Sequence, residues 1–62
     1  MTLNDVMKNI AIDNTSELYV NEWFKGKATK SNLKGYQDYE VVEIKHDILA
    51  KKIKIYMEAL WL

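Results

Sequence analysis

The sequence predicts a single small α+β domain over residues 1–62. We expect one N-terminal helix packed on a small antiparallel sheet of two hairpins, in the order α-β-β-β-β. Three observations predict this class: apolar residues at helical spacing near the N-terminus, β-forming residues around a tight turn, and alternating apolar and polar residues in the last third of the chain. A chain of 62 residues is the size of one domain.

The first element is predicted to be a short amphipathic helix. Thr2 is the expected N-cap, and Asp5 lies three residues later, where its carboxylate can reach back to the cap. The helix should end near Ile12, because residues 13–16 form a cluster of turn-forming residues. Its apolar face consists of Leu3, Val6, Met7 and Ile10.

The middle of the chain is predicted to contain a hairpin followed by one helical turn. Residues 17–28 are rich in β-forming side chains, with the tight turn at Asn21–Glu22 or, alternatively, at Lys25–Gly26. Residues 29–34 should then form a short helical turn that Thr29 caps and Gly35 ends.

The last third, residues 40–58, is predicted to be a second hairpin with its loop at residues 47–50. In that register Ile44 faces Ile53 on the apolar side and Glu43 faces Lys54 on the polar side. The predicted core joins the helix to both hairpins through Leu3, Val6, Met7, Ile10, Leu18, Val20, Val42, Ile44, Ile53 and Ile55.

The composition excludes several kinds of protein. The chain has nine lysines, nine acidic residues and no arginine or cysteine. Without cysteine there is neither a disulfide framework nor a thiolate zinc site, which favours a reducing, cytoplasmic location. A net charge of zero is atypical of proteins that bind DNA phosphates and of acidic DNA mimics. No apolar run approaches the length of a membrane span and no signal peptide is evident, so we expect no membrane partner.

The small size of the chain predicts association. A domain of this length buries only about 60% of its unfolded surface and is marginally stable on its own. We therefore expect a homodimer or a larger oligomer, or a partner protein that buries further surface.

The C-terminus is the first candidate interface, because Leu60, Trp61 and Leu62 end the chain with three large apolar side chains. Such a tail either folds back on the core or anchors a second copy or another protein. The second choices for a partner or self-association interface are aromatic: Trp23, Phe24, Tyr36 and Tyr56.

A lysine segment provides an alternative hypothesis. Lys25, Lys27, Lys30 and Lys34 occur with no acidic residue among them, close to Trp23. Lysines interleaved with aromatic residues can neutralise phosphates while bases stack, as in proteins that bind single-stranded nucleic acid. The competing interpretation is a solvated sheet edge whose aromatic residues belong to the core.

Catalytic and metal-binding constellations are not evident. His46 is the only histidine, and its neighbour Asp47 could form an acid–base pair with it. No nucleophile signature accompanies the pair, and the spacing of His, Asp and Glu does not match metal-ligand motifs. We therefore expect no enzyme activity, no cofactor and no metal.

The arrangement of the elements resembles a group of very small proteins encoded by phages and prophages of Gram-positive bacteria. The resemblance rests on the helix at Leu3 and Val6, the strand at Phe24 and Gly26, Leu33 in a short helix, and the apolar positions of residues 38–44 and 49–56. It implies a phage accessory protein that binds and modulates a bacterial host or defence protein. It implies no particular activity and no functional residues.

Overall fold

The computed structural model describes residues 1–10 and 12–59, and over this part the α+β class is confirmed. The elements follow one another as α1 (Leu3–Asn9), β1 (Glu17–Val20), β2 (Trp23–Lys27), α2 (Lys30–Tyr36), β3 (Glu40–Asp47) and β4 (Lys52–Glu58). Two helices are therefore present where the sequence predicted one helix and a helical turn.

The four strands form one mixed sheet in the order β2-β1-β4-β3. Both predicted hairpins are present, because β1–β2 and β3–β4 are antiparallel pairs. The expectation of a purely antiparallel sheet is wrong, since the central strands β1 and β4 run parallel. The cause is the connection over residues 28–39, which has the dozen residues that a crossover between parallel strands needs and carries the chain from one edge of the sheet to the other.

Helix α1 begins as the sequence predicts and ends earlier. The Asp5 amide donates to Thr2 Oγ1 at 3.3 Å, and the Thr2 amide donates to Asp5 Oδ2 at 3.1 Å, which completes a capping box. The helix stops at Asn9 because Ile10 already has extended backbone, with φ −131°. The predicted end near Ile12 is therefore too late.

Helix α2 begins at the predicted cap and continues beyond the predicted stop. The Asn32 amide donates to Thr29 Oγ1 at 3.3 Å, which confirms Thr29 as the cap. The helix passes through Gly35 to Tyr36, because Leu33 and Tyr36 lie three residues apart and both pack against the core.

The core lies on one face of the sheet. Both helices pack on that face, and the opposite face carries no helix among the described residues. The fully buried large apolar side chains are Leu3, Val6, Leu18, Ile55 and Met57.

Four residues of the predicted core are substantially exposed. Met7 and Ile10 are 38% and 40% exposed, since α1 is short and Ile10 follows its last residue. Val42 and Ile44 are 54% and 38% exposed, because β3 is an edge strand whose pairing is interrupted by a bulge between Val41 and Glu43.

The register of the second hairpin differs by two residues from the prediction. Ile44 lies opposite Ile55 instead of Ile53, and Lys54 lies opposite Lys45 instead of Glu43. Strand β3 ends at Asp47 and β4 begins at Lys52, so the loop is 48–51 and not 47–50. A shift of two residues leaves a side chain on its predicted face, as it does for Ile44, but the bulge reverses Val41 and Val42. Val41, predicted opposite Tyr56, lies opposite Met57 and packs against the core, whereas Val42 is exposed.

Candidate interaction surfaces

The predicted C-terminal anchor cannot be placed, because Leu60, Trp61 and Leu62 lie outside the described residues. The last described residue, Ala59, is buried, and its amide donates to Asn21 Oδ1 at 3.3 Å. The role of the C-terminal tail stays a prediction.

Strand β2 presents two aromatic side chains at the edge of the sheet. Trp23 is 73% exposed and Phe24 is 55% exposed, and we call these two residues the edge patch. They are neighbours in the strand, so Phe24 lies on the open face opposite Tyr19 while Trp23 lies on the core side opposite Val20, and the patch wraps around the edge of the sheet. The interpretation of these strand aromatics as core residues is therefore wrong. Because β2 is the last strand on its side, its outer backbone groups pair with no other strand of the described chain.

A tight turn sets the position of the edge patch. Asn21 and Glu22 join β1 to β2 with φ values of 50° and 72°, as in a type I′ hairpin turn, which confirms the predicted turn. Val20 is therefore paired with Trp23 and Tyr19 with Phe24, and a bulge beyond this pair then places Gly26 opposite Leu18.

Three aromatic rings cross the open face of the sheet, and we call Phe24, Tyr19 and Tyr56 the aromatic row. Tyr19 and Tyr56 stack with centroids 4.6 Å apart, and Phe24 meets Tyr19 edge-on at 5.5 Å. Lys45 continues the row, with its Nζ 5.1 Å from the centroid of the Tyr56 ring. The parallel pairing of β1 with β4 brings the two tyrosines side by side.

The sequence predicted Tyr56 and Phe24 as interface residues and missed Tyr19. A signal for Tyr19 was available, because Leu18 and Val20 were expected in the core and alternation then turns Tyr19 to the opposite face. What the sequence does not reveal is that β1 and β4 are neighbours.

The lysines around the aromatic row pair with carboxylates. The ion pairs are Lys52–Glu17 at 3.3 Å, Lys54–Asp47 at 3.6 Å and Lys45–Glu43 at 3.7 Å. The predicted Glu43–Lys54 pair is absent from these: Glu43 pairs with Lys45, and Lys54 pairs with Asp47. The surface that they form around the rings is apolar at its centre and balanced in charge.

Polar groups of the open face with shifted pKa values include Tyr19 and Asp47. Partial burial raises the pKa of the Tyr19 hydroxyl, which also donates to Glu17 Oε1 at 3.2 Å. The pKa of Asp47 is lowered, first because its carboxylate accepts the Ala50 amide and also because Lys54 is near. Tyr19 thus stays neutral and Asp47 stays ionised near neutral pH.

The lysine segment differs in its electrostatics from the open face. Lys25, Lys27, Lys30 and Lys34 are all exposed, and no carboxylate within residues 1–10 and 12–59 forms an ion pair with any of them. Asn32 ties α2 to β2, since its side-chain amide donates to the Lys27 carbonyl at 2.7 Å. The four positive charges therefore lie on adjoining elements beside the edge patch.

Tyr36 occupies a different environment from the other predicted aromatic residues. It is half-buried, packs against the core and meets Tyr39 edge-on at 5.1 Å. Its half-buried position against the core differs from the exposed positions of Trp23 and Phe24, with which the sequence grouped it.

The His46–Asp47 hypothesis is not supported by the geometry. The two residues are neighbours in β3, so their side chains point to opposite faces of the sheet. Asp47 is engaged by the Ala50 amide at 3.0 Å and by Lys54. In the part of the chain that the structure describes, no group of three or more His, Asp or Glu side chains is placed to hold a metal ion.

An open groove of about 350 Å³ lies beside the aromatic row. It runs between the β1–β2 turn and the bulged part of β3, with Tyr56 and Val42 in its wall and glutamates on its rim. Its chief lining residues are Asn21, Glu22, Val42, Glu43, Tyr56 and Glu58. A surface of this kind suits a basic side chain of a partner next to the aromatic rings.

No protein-family model matches the chain, and searches of the curated proteins and of the solved structures find no significant match. Among the residues that the structure describes, no helix is long and apolar enough to cross a membrane.

Proposed function

We propose that this chain is a non-enzymatic binding protein that engages a partner protein through the aromatic row and the adjoining edge patch. The observation that carries the proposal is an uncovered sheet face with an aromatic centre and carboxylate-paired lysines. Aromatic side chains are enriched at protein interfaces, where they contribute much of the binding energy.

Charge favours a protein partner over a polyanion at this face. A nucleic acid would have to displace three carboxylates from their lysines, whereas a protein can leave the pairs at a polar rim. The unpaired outer edge of β2 offers a second mode of contact, because a partner strand can add to such an edge through backbone hydrogen bonds.

The partner that we propose is a bacterial host or defence protein, in line with the resemblance to phage and prophage accessory proteins. The chain would then act as an inhibitor or modulator in the bacterial cytoplasm. Self-association belongs to the same proposal, because the edge patch and the apolar C-terminal residues can both contact a second copy.

Alanine variants with matched exposure test the proposal. Trp23 is 73% exposed and Ile48, at the far end of the second hairpin, is 77% exposed. Trp23→Ala and Phe24→Ala should each weaken self-association, or capture of a bacterial partner, by at least about 2 kcal/mol, as truncations of hot-spot residues do. Ile48→Ala should leave both unchanged. Equal association of all three variants in sedimentation equilibrium and in capture would contradict the proposal.

A further variant separates the edge patch from the C-terminal tail. The sequence predicts that Trp61→Ala weakens assembly by about 2 kcal/mol or more. Sedimentation equilibrium of Trp23→Ala and Trp61→Ala side by side shows which tryptophan supports the oligomer. If Trp61→Ala dissociates the oligomer and Trp23→Ala does not, the edge patch is not needed for self-association and remains available to bind the host partner.

The lysine segment favours a second candidate function, the binding of single-stranded nucleic acid. Its four lysines lack carboxylate partners among the described residues and lie next to the exposed Trp23. Four phosphate contacts would give a salt slope of about −3 in a log–log plot of affinity for a single strand. Fluorescence anisotropy with a labelled oligonucleotide tests this, and a flat titration at low salt would dispose of it.

A further inference from the structure

The outer edge of strand β3 is open over most of its length. On the side away from β4, the described chain covers only the start of the strand, where the Val41 amide donates to the Met1 carbonyl at 2.7 Å and Thr2 forms a β-bridge with Glu40. The next five residues, 42–46, are all exposed. An open strand edge of this length is a template for pairing with another strand.

Ile44 lies at the centre of this open segment, between two opposite charges. It pairs with Ile55 on the core side, yet it is 38% exposed, because no strand lies beyond β3 in the described chain. Glu43 and Lys45 flank it, and their side chains are 57% and 56% exposed. With His46 neutral, residues 42–46 carry no net charge. The segment therefore presents an acid on one side of Ile44 and a base on the other.

Symmetry restricts how two such edges can pair. Most oligomers of identical chains are closed by a two-fold axis. When this axis stands perpendicular to the sheet, β3 meets the β3 of a second copy in antiparallel orientation, and the core faces of both copies lie on the same side. One residue then faces its own equivalent across the axis, and the residues before it face the residues after it. The register is therefore defined by the residue on the axis.

Charge selects Ile44 as the residue on the axis. In this register the two Ile44 side chains meet, and each Glu43 faces the Lys45 of the other copy. An axis at Glu43 or at Lys45 would instead place two like charges directly opposite each other, which is destabilising. The Ile44 register also pairs residues 42–46 with one another, and this range is the exposed segment that Met1 and Thr2 leave open.

The opposite edge of the sheet is less suited to a second copy. Strand β2 contains Lys25 and Lys27 and no acidic residue. A register that overlaps the whole of β2 with itself places Lys25 opposite the Lys25 of the other copy. Lysine on an edge strand is one of the means by which proteins prevent such pairing. The edge of β3 therefore fits a second copy, and the edge of β2 stays open to a different protein.

We propose that two copies of this chain pair along β3, antiparallel around a two-fold axis at Ile44, and form one continuous eight-stranded sheet. The strand order becomes β2-β1-β4-β3-β3-β4-β1-β2, with an edge patch at each end. This assignment rests on the self-association of the proposed function, whereas capture of another protein at the edge patch does not depend on it. Stable interfaces bury about 800 Å² on each partner, more than five paired residues supply, so we expect the dimer to exchange with the monomer.

Cysteine substitutions locate the axis, because the chain has no cysteine of its own. Equivalent residues on the axis have Cα atoms about 5 Å apart, within the range of a disulfide. Equivalent residues one position away from it are about 8 Å apart, beyond the limit of about 7 Å. Ile44→Cys should therefore form a covalent dimer under mild oxidation at least about tenfold faster than Glu43→Cys or Lys45→Cys. The two flanking variants are matched controls, since both positions are exposed in the same strand.

Charge reversal tests the same register without a covalent bond. Glu43→Lys and Lys45→Glu should each weaken the dimer at least about tenfold in sedimentation equilibrium, because each places like charges opposite each other at two positions. The double variant Glu43→Lys/Lys45→Glu brings opposite charges together again and should restore the dimer. Lys25→Glu is the control, because it reverses an exposed lysine of the other edge strand, and it should leave the dimer unchanged.

Trp23→Ala separates this proposal from the proposed function. It should leave the cross-linking of Ile44→Cys unchanged while it impairs capture of a bacterial partner, so the two can fail independently. Circular dichroism verifies that each variant is folded. A chain that stays monomeric, an Ile44→Cys variant that cross-links no faster than its flanking controls, or a double reversal that does not restore the dimer would overturn the proposal. Larger species that Lys25→Glu dissociates would also overturn it, because they would indicate head-to-tail pairing of β3 with β2.

Discussion

At the scale of single residues, the backbone takes its least favourable conformations where the chain reverses. Asn21, Glu22 and Lys51 have positive φ, at 50°, 72° and 55°. Asparagine tolerates this region, whereas a long side chain such as that of glutamate costs about 1–2 kcal/mol there. The sequence predicts the turn at Asn21–Glu22 because β-forming residues lie on both sides of it. Glutamate is not a residue that favours positive φ, so the left-handed backbone at Glu22 is not predictable from the residue type.

We predict that Glu22→Gly stabilises the protein. Asn-Gly is the preferred pair for a type I′ turn, because glycine adopts positive φ without strain. The gain is partly offset by the greater freedom of glycine in the unfolded chain, so we expect a net effect of about 0.5–1 kcal/mol. Thermal unfolding followed by circular dichroism should show a midpoint about 2–8 °C higher.

Glu43→Gly is the control for this prediction. Glu43 is also an exposed glutamate, but it lies within β3, where glycine weakens the strand. A lower midpoint for Glu22→Gly, in the same direction as Glu43→Gly, would show that the turn carries no strain to relieve.

At the scale of elements, the two helices are seven residues each and depend on their caps. An isolated helix of this length is unstable in water, so capping and packing must hold it. Thr2 takes part in a reciprocal capping box with Asp5, while Thr29 accepts one amide from Asn32. Both caps are predictable from the sequence because a capping side chain acts within three residues of its own position.

We predict that Thr2→Ala destabilises the protein by about 1 kcal/mol and that Thr29→Ala costs less. Each substitution removes the hydroxyl that accepts one helix amide, but at position 2 that hydroxyl is half of a reciprocal capping box, so its loss also leaves the bond from the Thr2 backbone amide to Asp5 without its counterpart. Urea denaturation provides the comparison. Thr2→Ser preserves the hydroxyl and should restore most of the loss, and an unchanged midpoint for Thr2→Ala would mean that packing alone holds α1.

The second hairpin shows where the sequence stops being informative about an element. Alternation predicts which side chains share a face, and those faces are as expected except at the bulge, where Val41 packs against the core and Val42 is exposed. It does not distinguish registers that differ by two residues, because Ile53 and Ile55 are equally suitable partners for Ile44. The bulge beside Val42 and the left-handed Lys51 select the register, and neither has a clear sequence signature.

At the scale of the whole molecule, the sequence predicts the class of the fold and misses the arrangement of the sheet. The strand patterns indicate which faces are buried and leave open which strands are neighbours. The aromatic row depends on that missing information, because Tyr19 and Tyr56 meet through the parallel pair β1–β4. The exposed Trp23 likewise follows from β2 being an edge strand.

Stability should be greatest between about pH 4 and pH 8. Hydrogen bonds lower the pKa of three carboxyl groups below the usual 3.8: Thr2 acts on Asp5, Thr15 on Asp13, and the Ala50 amide on Asp47. Their stabilising contribution is complete above pH 3.8 and is lost as the pH falls through their lowered values. Hydrogen bonding to Glu40 raises the pKa of the Met1 amine above 8.0, so its contribution is complete below pH 8.0 and is lost as the pH rises.

Asp13→Asn tests the acid side of this profile. The Asp13 carboxylate accepts the Thr15 and Ser16 amides at 2.9 and 3.1 Å, and an asparagine can retain one such acceptor without titrating. Urea midpoints measured from pH 2 to pH 7 should decline less steeply toward acid in the variant. An identical slope in both proteins would show that Asp13 does not contribute to the acid loss.

The parallel pair at the centre of the sheet has a consequence for how the chain is made. Val20 pairs beside Met57, which a ribosome adds 37 residues later. At about 5–20 residues per second this interval lasts about 2 to 7 s. Throughout it β1 has only β2 as a neighbour, and a lone two-stranded hairpin is marginal in water. The nascent chain therefore carries an open, apolar strand edge until its last strand emerges, and folding has to occur in one late, cooperative step.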